Sequence, residues 1–595
     1  MKRWIGIILL GMSTHLSVQA QQAYVPSSQH LNDPDLFIPF VEESATFWYS
    51  AWDDARGGFY TNVARDGTPN RSWGTNKELL TQSRNAYAMV RAFQLTGNEA
   101  FLDQAEATLA FQYASAWDPV YGGWFRVVNE LGQPQYVDER KDAFFQLYAL
   151  LGPTAFVEAT DDPTSWRYVW EANAFNSTWL WDDRPDYKGY FDTVARSGGA
   201  GLNKSFNATV DALTTHAIQH YQLTDSAHYA ARLLDLADNI GERLVANMAG
   251  QVIGFPEEYT ASWQVRSSER RTVMGHVLKT GWVLARMYAL DPQADYLQNA
   301  QVLVDEVWEK GYDHTYGGPY KDFDRVTGQM YLYNLPDTTK AWWQMEQAIT
   351  GGLFLYHLTG AERYLEMADE TTSFFMEHFV DPVYAEVYAD VTRRGETIPQ
   401  WGNLFKGDAY KAGYHSVETG YYGYLYGHLL LNKTPATLYY RFGPRDTRRT
   451  VALSPIEGGA DVYVVDKVWK DGEAYADFDG ASRMLNLPAG TEGVFAVRFM
   501  PAGAVSRDPI AGEVASLESF DLYPNPSRGV VNIDGLPEGS ELRVVDVLGR
   551  VVGSSVSFSG ATTVQLGAMV EQPGLYFIVV EHLGARVVRP VHFIP

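Results

Sequence analysis

A short pattern of aromatic residues and glycines recurs six times in this sequence, and no other feature restricts its fold as strongly. The copies are separated by about 63 to 68 residues and begin at Arg56, Val120, Tyr187, Gln251, Thr315 and Val383, where the last match is the weakest. About 20 to 30 residues after each copy comes a run with apolar residues at helical spacing, such as KAWWQMEQAITGGLFLYHLTG. Each unit has room for two helices and a short hairpin, so the repeat predicts six helix pairs.

Six helix pairs can close into a ring or stack into an open solenoid. The order of first helix, turn and inner helix is complete at both ends of the repeat, and neither end carries a polar capping unit. This favours the closed ring. We therefore predict a mainly α fold with an (α/α)6 barrel over residues 30–432.

The character of the sequence changes after Leu431 to short, alternating, β-branched segments between turn signals. This pattern predicts two small all-β, sandwich-like modules, the first over residues 436–505 and the second over residues 515–595. Residues 506–514 are predicted to link them.

The first twenty residues have the composition of a secretory signal peptide. Lys2 and Arg3 precede an apolar stretch, and Val18-Gln19-Ala20 forms a small-residue cleavage site. No later segment offers an uncharged run of about 18 residues, so we predict an exported chain without a membrane span. The sequence has no cysteine, so its stability must come from its core rather than from disulfides.

The net charge of -25 and the pI near 4.9 disfavour two classes of partner. Such a field repels phosphate backbones and anionic membrane surfaces, so we expect no nucleic-acid partner and predict a neutral or cationic ligand. Aromatic residues make up 14% of the chain, which suits stacking on sugar rings but suits a helical core more often.

Polar residues recur at equivalent positions, at or near the start of the inner helices, and these positions converge on one mouth of a ring. The residues are Arg84, Lys141, Asp142, Asn207, Asp211, His276, Trp342, Trp343, Glu346 and His415.

The last module carries the segments YPNPS, DVLGR and PGLYF, which closely resemble the C-terminal sorting domain of the type IX secretion system. The resemblance implies passage through the periplasm and then across the outer membrane by the type IX machinery. The expected location is therefore outside the cell or at its surface.

The inner-helix runs KDAFFQLYAL, FNATVDALTTHAIQHYQLT, GHVLKTGWVLARMYAL, KAWWQMEQAITGGLFLYHLTG and GYHSVETGYYGYL resemble, in order and spacing, motifs of the N-acylglucosamine 2-epimerase superfamily. This group includes cellobiose and mannobiose 2-epimerases and aldose-ketose isomerases. The resemblance implies an (α/α)6 barrel that acts on the reducing end of a mono- or oligosaccharide, with no metal and no redox cofactor.

His276 and His415 match the two histidines that, in this superfamily, remove and return a proton at C2 of the sugar through an enediol. An imidazole with an ordinary pKa near 6.5 can act as both base and acid at neutral pH. Either histidine alone would more often be a core or capping residue, but the pair at repeat-equivalent positions favours catalysis.

The resemblance also assigns substrate contacts. Arg84 matches an arginine near C2, where it would also stabilise an enediolate, although an inner-helix ion pair is an equal alternative. Glu346 matches a carboxylate that binds hydroxyls. Trp342 and Trp343 match stacking platforms, of which at most one is expected to point inward because helix neighbours diverge by about 100°. Trp124 is a further candidate for the wall, although packing in its hairpin is the commoner role.

Two positions depart from the superfamily pattern. Lys279 stands where a glutamate usually follows the first histidine, and Asp211, four residues after Asn207, stands where a ring-opening histidine is usual. Thr209 occupies another position where histidine is frequent. Aspartate can still deliver a proton to the ring oxygen, and an ion pair between Lys279 and Asp211 would replace the usual contact.

Two alternatives of other classes stay open. The first is a glycoside hydrolase or lyase on the same kind of barrel, using carboxylates such as Asp211, Glu257 or Glu346 as acid and base. Export favours it, since secreted enzymes often cut polysaccharides. The second is a carbohydrate-binding protein that has lost its activity.

Overall fold

The computed structural model describes residues 24–330, 338–401, 404–503 and, with short gaps, 521–594. The predicted signal peptide at 1–20 and the predicted linker at 506–514 lie outside these residues. None of the described helices combines the length and hydrophobicity that a membrane crossing requires.

The helical part of the chain begins at Gln29 and is built from outer helices, hairpins and inner helices. The α-helices are α1 Gln29–Asn32, α2 Phe37–Phe47, α3 Leu79–Thr96, α4 Glu99–Ala116, α5 Ala143–Tyr148, α6 Leu151–Thr160, α7 Pro163–Phe175, α8 Phe206–Ala212, α9 Ile218–Thr224, α10 Ala227–Asn239, α11 Met274–Leu290, α12 Ala294–Glu306, α13 Trp342–Thr359, α14 Glu362–His378 and α15 Tyr414–Leu425.

These helices form the six predicted units. The outer helices α2, α4, α7, α10, α12 and α14 each lead through a hairpin to an inner helix or a pair of inner helices. Two Thr-Gly sequences end inner helices: Gly97 after α3 and Gly360 after α13 are left-handed, and their amides donate to the Phe93 and Tyr356 carbonyls. The last inner helix α15 packs against α2, α3 and α13.

Short strands lie in the hairpins and at the ends where the inner helices begin. They are β1 Lys77–Glu78, β2 Val127–Val128, β3 Lys141–Asp142, β4 Trp181–Asp182, β5 Gly189–Tyr190, β6 Thr193–Val194, β7 Lys204–Ser205, β8 Glu258–Tyr259, β9 Arg271–Val273, β10 Asp322–Asp324, β11 Lys340–Ala341 and β12 Asp390–Val391. The antiparallel pairs β1·β2, β3·β6, β7·β8, β9·β10 and β11·β12 each join one unit to the next. A bridge between Val63 and Gly407 joins the sixth unit to the first.

The glycine pairs of the repeat form the tips of the hairpins. Gly122 and Gly123, for example, have φ of +73° and +69°, which residues with a Cβ rarely adopt. In the sixth copy Ala385 and Glu386 adopt the same left-handed conformation, at φ of +57° and +49°. Glu386 is buried there, and its carboxylate accepts hydrogen bonds from Trp48, Lys411 and Ser416. These bonds hold the strained turn and explain why the sixth copy matches the sequence pattern least.

Five units share a buried lysine that pairs with an aspartate at the end of the outer helix. In four of them the lysine stands two residues before the inner helix, and in the sixth unit Lys406 lies further before α15. The pairs, with their Nζ to Oδ distances, are Lys77–Asp53 (2.8 Å), Lys141–Asp118 (3.0 Å), Lys204–Asp182 (3.1 Å), Lys340–Asp313 (3.2 Å) and Lys406–Asp381 (3.3 Å). In the fourth unit Thr272 stands at this position. The pairs fix each hairpin against its inner helix.

Two groups of strands follow the helices. The first is β13 Ala436–Phe442, β14 Arg449–Ala452, β15 Tyr463–Lys470, β16 Glu473–Ala474, β17 Phe478–Asp479, β18 Met484–Leu487 and β19 Gly493–Pro501, in sheets ordered β13-β19-β15-β16 and β14-β18-β17. The second is β20 Asp521–Tyr523, β21 Val531–Leu536, β22 Glu541–Asp546, β23 Val551–Val556, β24 Gly560–Val564, a short helix α16 Leu566–Met569, β25 Gly574–His582 and β26 Ala585–Phe593. One hydrophobic cluster runs from Leu31 in the helices to Phe499 in β19.

Candidate active site

A cavity of about 560 Å³ opens where the inner helices begin. Eight of the residues singled out in the sequence line it: Arg84, Asn207, Asp211, His276, Lys279, Trp342, Trp343 and His415. They come from five inner-helix runs of different units, so the repeat brings together residues that are far apart in the sequence.

His276 lies in the first turn of α11. Its Nδ1 is 2.9 Å from Oε2 of Glu257, and the other oxygen of this carboxylate, Oε1, accepts a hydrogen bond from the Val273 amide. The imidazole stacks on Phe206 with ring centroids 3.9 Å apart. The carboxylate and the phenyl ring together fix the orientation of the imidazole, and they leave Nε2 as the nitrogen not bound to Glu257.

His415 lies in the first turn of α15, and its Nδ1 is 2.5 Å from Oε2 of Glu346. Burial, followed by the positive charges of Arg84, Lys279 and Lys411, holds the pKa of His415 well below 6.5. Burial and the neighbouring Glu418 carboxylate raise the pKa of Glu346 well above its ordinary value. His415 is therefore a neutral imidazole at neutral pH, the form in which it can accept a proton.

Trp343 lies between the two histidines, with its ring centroid 5.2 Å from that of His276 and 6.1 Å from that of His415. The position of the Trp343 side chain depends on the glycine at residue 275, because a Cβ on Gly275 would lie 2.6 Å from the indole ring. Trp342 lines the cavity as well, which corrects the expectation that only one of the two indoles faces inward. Both residues begin α13, and the cavity extends across this helix end rather than along one face of the helix.

Lys279 is buried in the cavity floor and pairs with Asp211, with Nζ 2.5 Å from Oδ1. Lys279 also donates to the Tyr148 hydroxyl at 3.0 Å, and Asn207 donates to the other carboxylate oxygen of Asp211 at 2.9 Å. Burial lowers the pKa of Lys279, but Asp211 and Tyr148 outweigh burial, so the pKa lies above its ordinary value. The ion pair suggested by the two departures from the superfamily pattern is present.

Arg84 is buried in the wall of the cavity. Its guanidinium group lies over the Tyr148 ring, with Cζ 4.4 Å from the centroid, and donates to the Tyr410 carbonyl. Within the described residues it has no carboxylate partner, so the expected alternative of an inner-helix ion pair is not seen.

Other residues from the sequence lie away from the cavity surface. Trp124 is buried against Trp117 in its hairpin, which corrects its assignment to the wall. Lys141 is held by Asp118, as described above, and Asp142 lies in β3, directly before α5 and outside the cavity lining. Glu346 is fully buried behind His415, so it contacts the histidine rather than lining the cavity.

Several lining residues were not singled out in the sequence as parts of this site: Arg126, Phe144, Phe145, Tyr148, Glu257, Arg271, Val273 and Tyr410. Tyr148 is in the quoted run KDAFFQLYAL, one helical turn after Phe144, so the sequence places these two lining residues on the same helix face. The sequence-based hypotheses include Glu257 only as an acid or base of the hydrolase alternative. Its contact with His276 spans 19 residues of hairpin, and no helical or strand periodicity predicts it.

One group of metal-type ligands occurs within the described residues. Glu346, His415 and Glu418 offer atoms that lie within 4.8 Å of one another. Glu346 and His415 already bond to each other, and Glu418 accepts a hydrogen bond from Tyr87 at 2.8 Å. The absence of a metal cofactor remains a prediction from the resemblance.

Comparisons with known proteins agree with the motifs. Residues 58–416 match the N-acylglucosamine 2-epimerase (GlcNAc 2-epimerase) family, and residues 521–591 match the secretion system C-terminal sorting domain. A cellobiose 2-epimerase of Eubacterium cellulosolvens is 22% identical over 367 residues, which cover 58% of this chain and 87% of that protein.

Two solved structures share the fold. That of a cellobiose 2-epimerase from Spirochaeta thermophila DSM 6192 gives a TM-score of 0.57 at 20% identity and covers 66% of this chain and 98% of that chain. That of a D-mannose isomerase gives a TM-score of 0.58 at 18% identity, with 67% and 99% covered. The family match extends from the first hairpin through His415 and spans more than half of the sequence. The chain therefore belongs to the N-acylglucosamine 2-epimerase family.

Proposed function

We propose that this chain is an exported sugar isomerase that moves a proton at C2 of a reducing-end sugar, either as a 2-epimerase or as an aldose-ketose isomerase. Family membership supports the reaction class, since relatives are named cellobiose 2-epimerase and a structural neighbour is named D-mannose isomerase. The substrate is a mono- or oligosaccharide with a free reducing end.

The proposal includes an (α/α)6 barrel as the catalytic scaffold. Two observations support closure: α15 packs against α2 and α3, and the Val63 to Gly407 bridge joins the sixth unit to the first. A closed ring holds the inner-helix starts at fixed separations, which a two-sided reaction on one carbon requires.

The observation that carries the proposal is the pair of histidines on either side of Trp343. Each has its Nδ1 bound to a carboxylate, Glu257 for His276 and Glu346 for His415. With Nδ1–H donating to the carboxylate, Nε2 holds the lone pair that accepts a proton. One imidazole removes the C2 proton and the other returns a proton to the opposite face, which inverts C2.

Two further groups suit the charge changes of this reaction. Arg84, which has no carboxylate partner among the residues that the structure describes, would stabilise the enediolate oxygens formed when C2 loses its proton. Asp211, held by Lys279 and Asn207, would relay a proton from the Lys279 ammonium to the ring oxygen and so open the sugar ring, and the proton released by the anomeric hydroxyl would restore the ammonium.

The environment of the carboxylates disfavours the hydrolase alternative. A glycosidase needs one free acid and one free carboxylate on either side of the scissile bond. Among the described lining residues the carboxylates are Asp211, which is paired with Lys279, and Glu257, which is bound to His276. Glu346 lies behind His415.

Export and domain division belong to the proposal as well. The sorting-domain match supports delivery to the cell surface or exterior by the type IX system. In this division residues 1–20 are removed as a signal peptide, 30–432 carry catalysis, 436–505 form a β module, 506–514 link it, and 515–595 are the sorting domain.

Incubation with a panel of reducing mono- and disaccharides in deuterated water tests the proposal. We expect NMR to show incorporation of deuterium at C2 and the formation of an epimer or a ketose as product. A lack of exchange with every sugar, combined with cleavage of a glycan, would overturn the proposal in favour of the hydrolase.

A further inference from the structure

Two arginines of the cavity are held over one face of the same short helix. The Arg84 guanidinium lies 4.4 Å from the Tyr148 ring centroid, and the Arg126 guanidinium lies 4.3 Å from that of Phe145. Phe145 and Tyr148 are three residues apart on α5, so their side chains lie on the same face. Stacking on these rings orients both guanidinium planes in the wall of the cavity.

Neither arginine has a hydrogen-bonded carboxylate within the part of the chain that the structure describes. Arg84 is 4% exposed, its hydrogen bond goes to the Tyr410 carbonyl, and its Nε is buried without a partner. Arg126 Nε lies 4.0 Å from the nearest carboxylate oxygen of Glu78, and neither of these atoms makes a hydrogen bond.

Two buried arginines outside the cavity each have a carboxylate partner. Arg91 binds Glu158 at 2.9 Å, and Arg286 binds Glu457 at 2.7 Å. Burying a charge without a counter-ion is costly, and Arg84 is buried without a carboxylate partner among the described residues. Arg126 is partly exposed, with 41% of its side chain accessible, and its contact with Glu78 at 4.0 Å is not a hydrogen bond. Both guanidinium groups of the cavity wall can therefore bind a ligand that supplies negative charge.

We propose that the cavity selects a sugar that carries an anionic group, a carboxylate or a sulfate, and that Arg126 binds this group beside Arg84. The reacting carbon and the role of Arg84 near it rest on the proposed function. A planar guanidinium binds a carboxylate or sulfate through two parallel hydrogen bonds, which a neutral hydroxyl cannot match. The net charge of -25 suggested a neutral or cationic ligand, but recognition depends on the local charge of the cavity.

Binding measured without turnover tests this inference. Methyl glycosides cannot open their ring, so calorimetric titration with methyl glucuronide, methyl glucoside 6-sulfate and neutral methyl glucoside reports recognition alone. At low ionic strength we expect at least one anionic glycoside to bind about 10-fold or more tightly than the neutral one, with an affinity that falls as salt rises. The anionic glycoside that binds more tightly shows whether the preferred group is a carboxylate or a sulfate. Equal or weaker binding of both anionic glycosides would overturn the inference.

A matched pair of variants assigns the role to Arg126. Arg126→Gln should reduce the ratio of anionic to neutral affinity by about 10-fold. Arg167→Gln is the control, since Arg167 also stacks on an aromatic ring, that of Tyr168 at 4.3 Å, but lies on outer helix α7 and pairs with Glu171. The control should leave the ratio unchanged. An unchanged ratio in Arg126→Gln, with native circular dichroism, would contradict the assignment.

The two proposals fail in distinguishable ways. If C2 exchange occurs and neutral glycosides bind as well as anionic ones, the sugar isomerase stands and the anionic preference falls. If anionic glycosides bind more tightly but no sugar exchanges its C2 proton, the anion site stands and the isomerase falls.

Discussion

At the scale of single residues, the two departures from the superfamily pattern compensate each other. Lys279 and Asp211 meet at 2.5 Å in the cavity floor, where both are almost fully buried. The sequence could suggest this pair because the two departures from the superfamily pattern introduce opposite charges. It could not reveal Glu257 as the partner of His276, because a hairpin contact depends on tertiary structure rather than on local spacing.

Double-mutant analysis measures the coupling in this pair. Lys279→Met alone should lower the free energy of unfolding by about 3 to 5 kcal/mol, because it leaves the Asp211 carboxylate buried without its cation. Asp211→Asn alone should be costly too, but the double variant should lose less than the sum by about 0.5 to 3 kcal/mol. Urea denaturation provides the four values, and strictly additive losses would argue against coupling.

The proposed role of His415 as a base leads to a prediction for the pH profile. Its pKa is lowered by burial and by nearby cations, so the base stays unprotonated as pH falls through 6.5. For the epimer that His415 deprotonates, we expect the acid limb of kcat/KM to lie below pH 6.5. The profile should be recorded beside circular dichroism, which separates titration from acid unfolding. An acid limb at or above pH 6.5 in folded protein would show that the pKa of the catalytic base is not lowered.

At the scale of elements, the repeat predicted the helices well, but not where the inner helices break. The second inner run is divided into α5 and α6, and Pro153 lies just after the break. Proline has no amide to donate to the Ala149 carbonyl four residues earlier, and the Gln112 side chain from α4 donates to that carbonyl at 2.9 Å instead. The periodicity of the sequence cannot show that a side chain replaces the backbone donor, because this donor comes from another helix.

The buried lysine and aspartate pairs are a second feature of the elements that apolar periodicity does not predict. Lys77→Met should lower the free energy of unfolding by about 3 to 5 kcal/mol, since Lys77 is fully buried and binds Asp53 at 2.8 Å. Lys310→Met is the control, because Lys310 is 44% exposed and pairs with Glu306 on the surface. We expect the control to lose about 0 to 1 kcal/mol in the same urea titration. Equal losses for the two variants would mean that the buried pairs do not hold the hairpins.

At the scale of the whole molecule, the strands after Leu431 are less independent than their sequence suggests. Alternating residues predicted β structure at residues 436–505, and β13 to β19 lie there. Their buried side chains belong to the same hydrophobic cluster as the helices, and Glu457 between β14 and β15 binds Arg286 of α11. Strand periodicity identifies which residues are buried, but not the element that covers them.

The central claim is that two histidines on opposite sides of one carbon share the proton transfer. Exchange of the C2 proton in deuterated water, measured separately for both epimers of a substrate with His276→Asn and His415→Asn, tests it most directly. Each variant should lose interconversion but keep exchange with one epimer only, and the retained epimer should differ between the two variants. Interconversion at the wild-type rate in either variant would contradict the account.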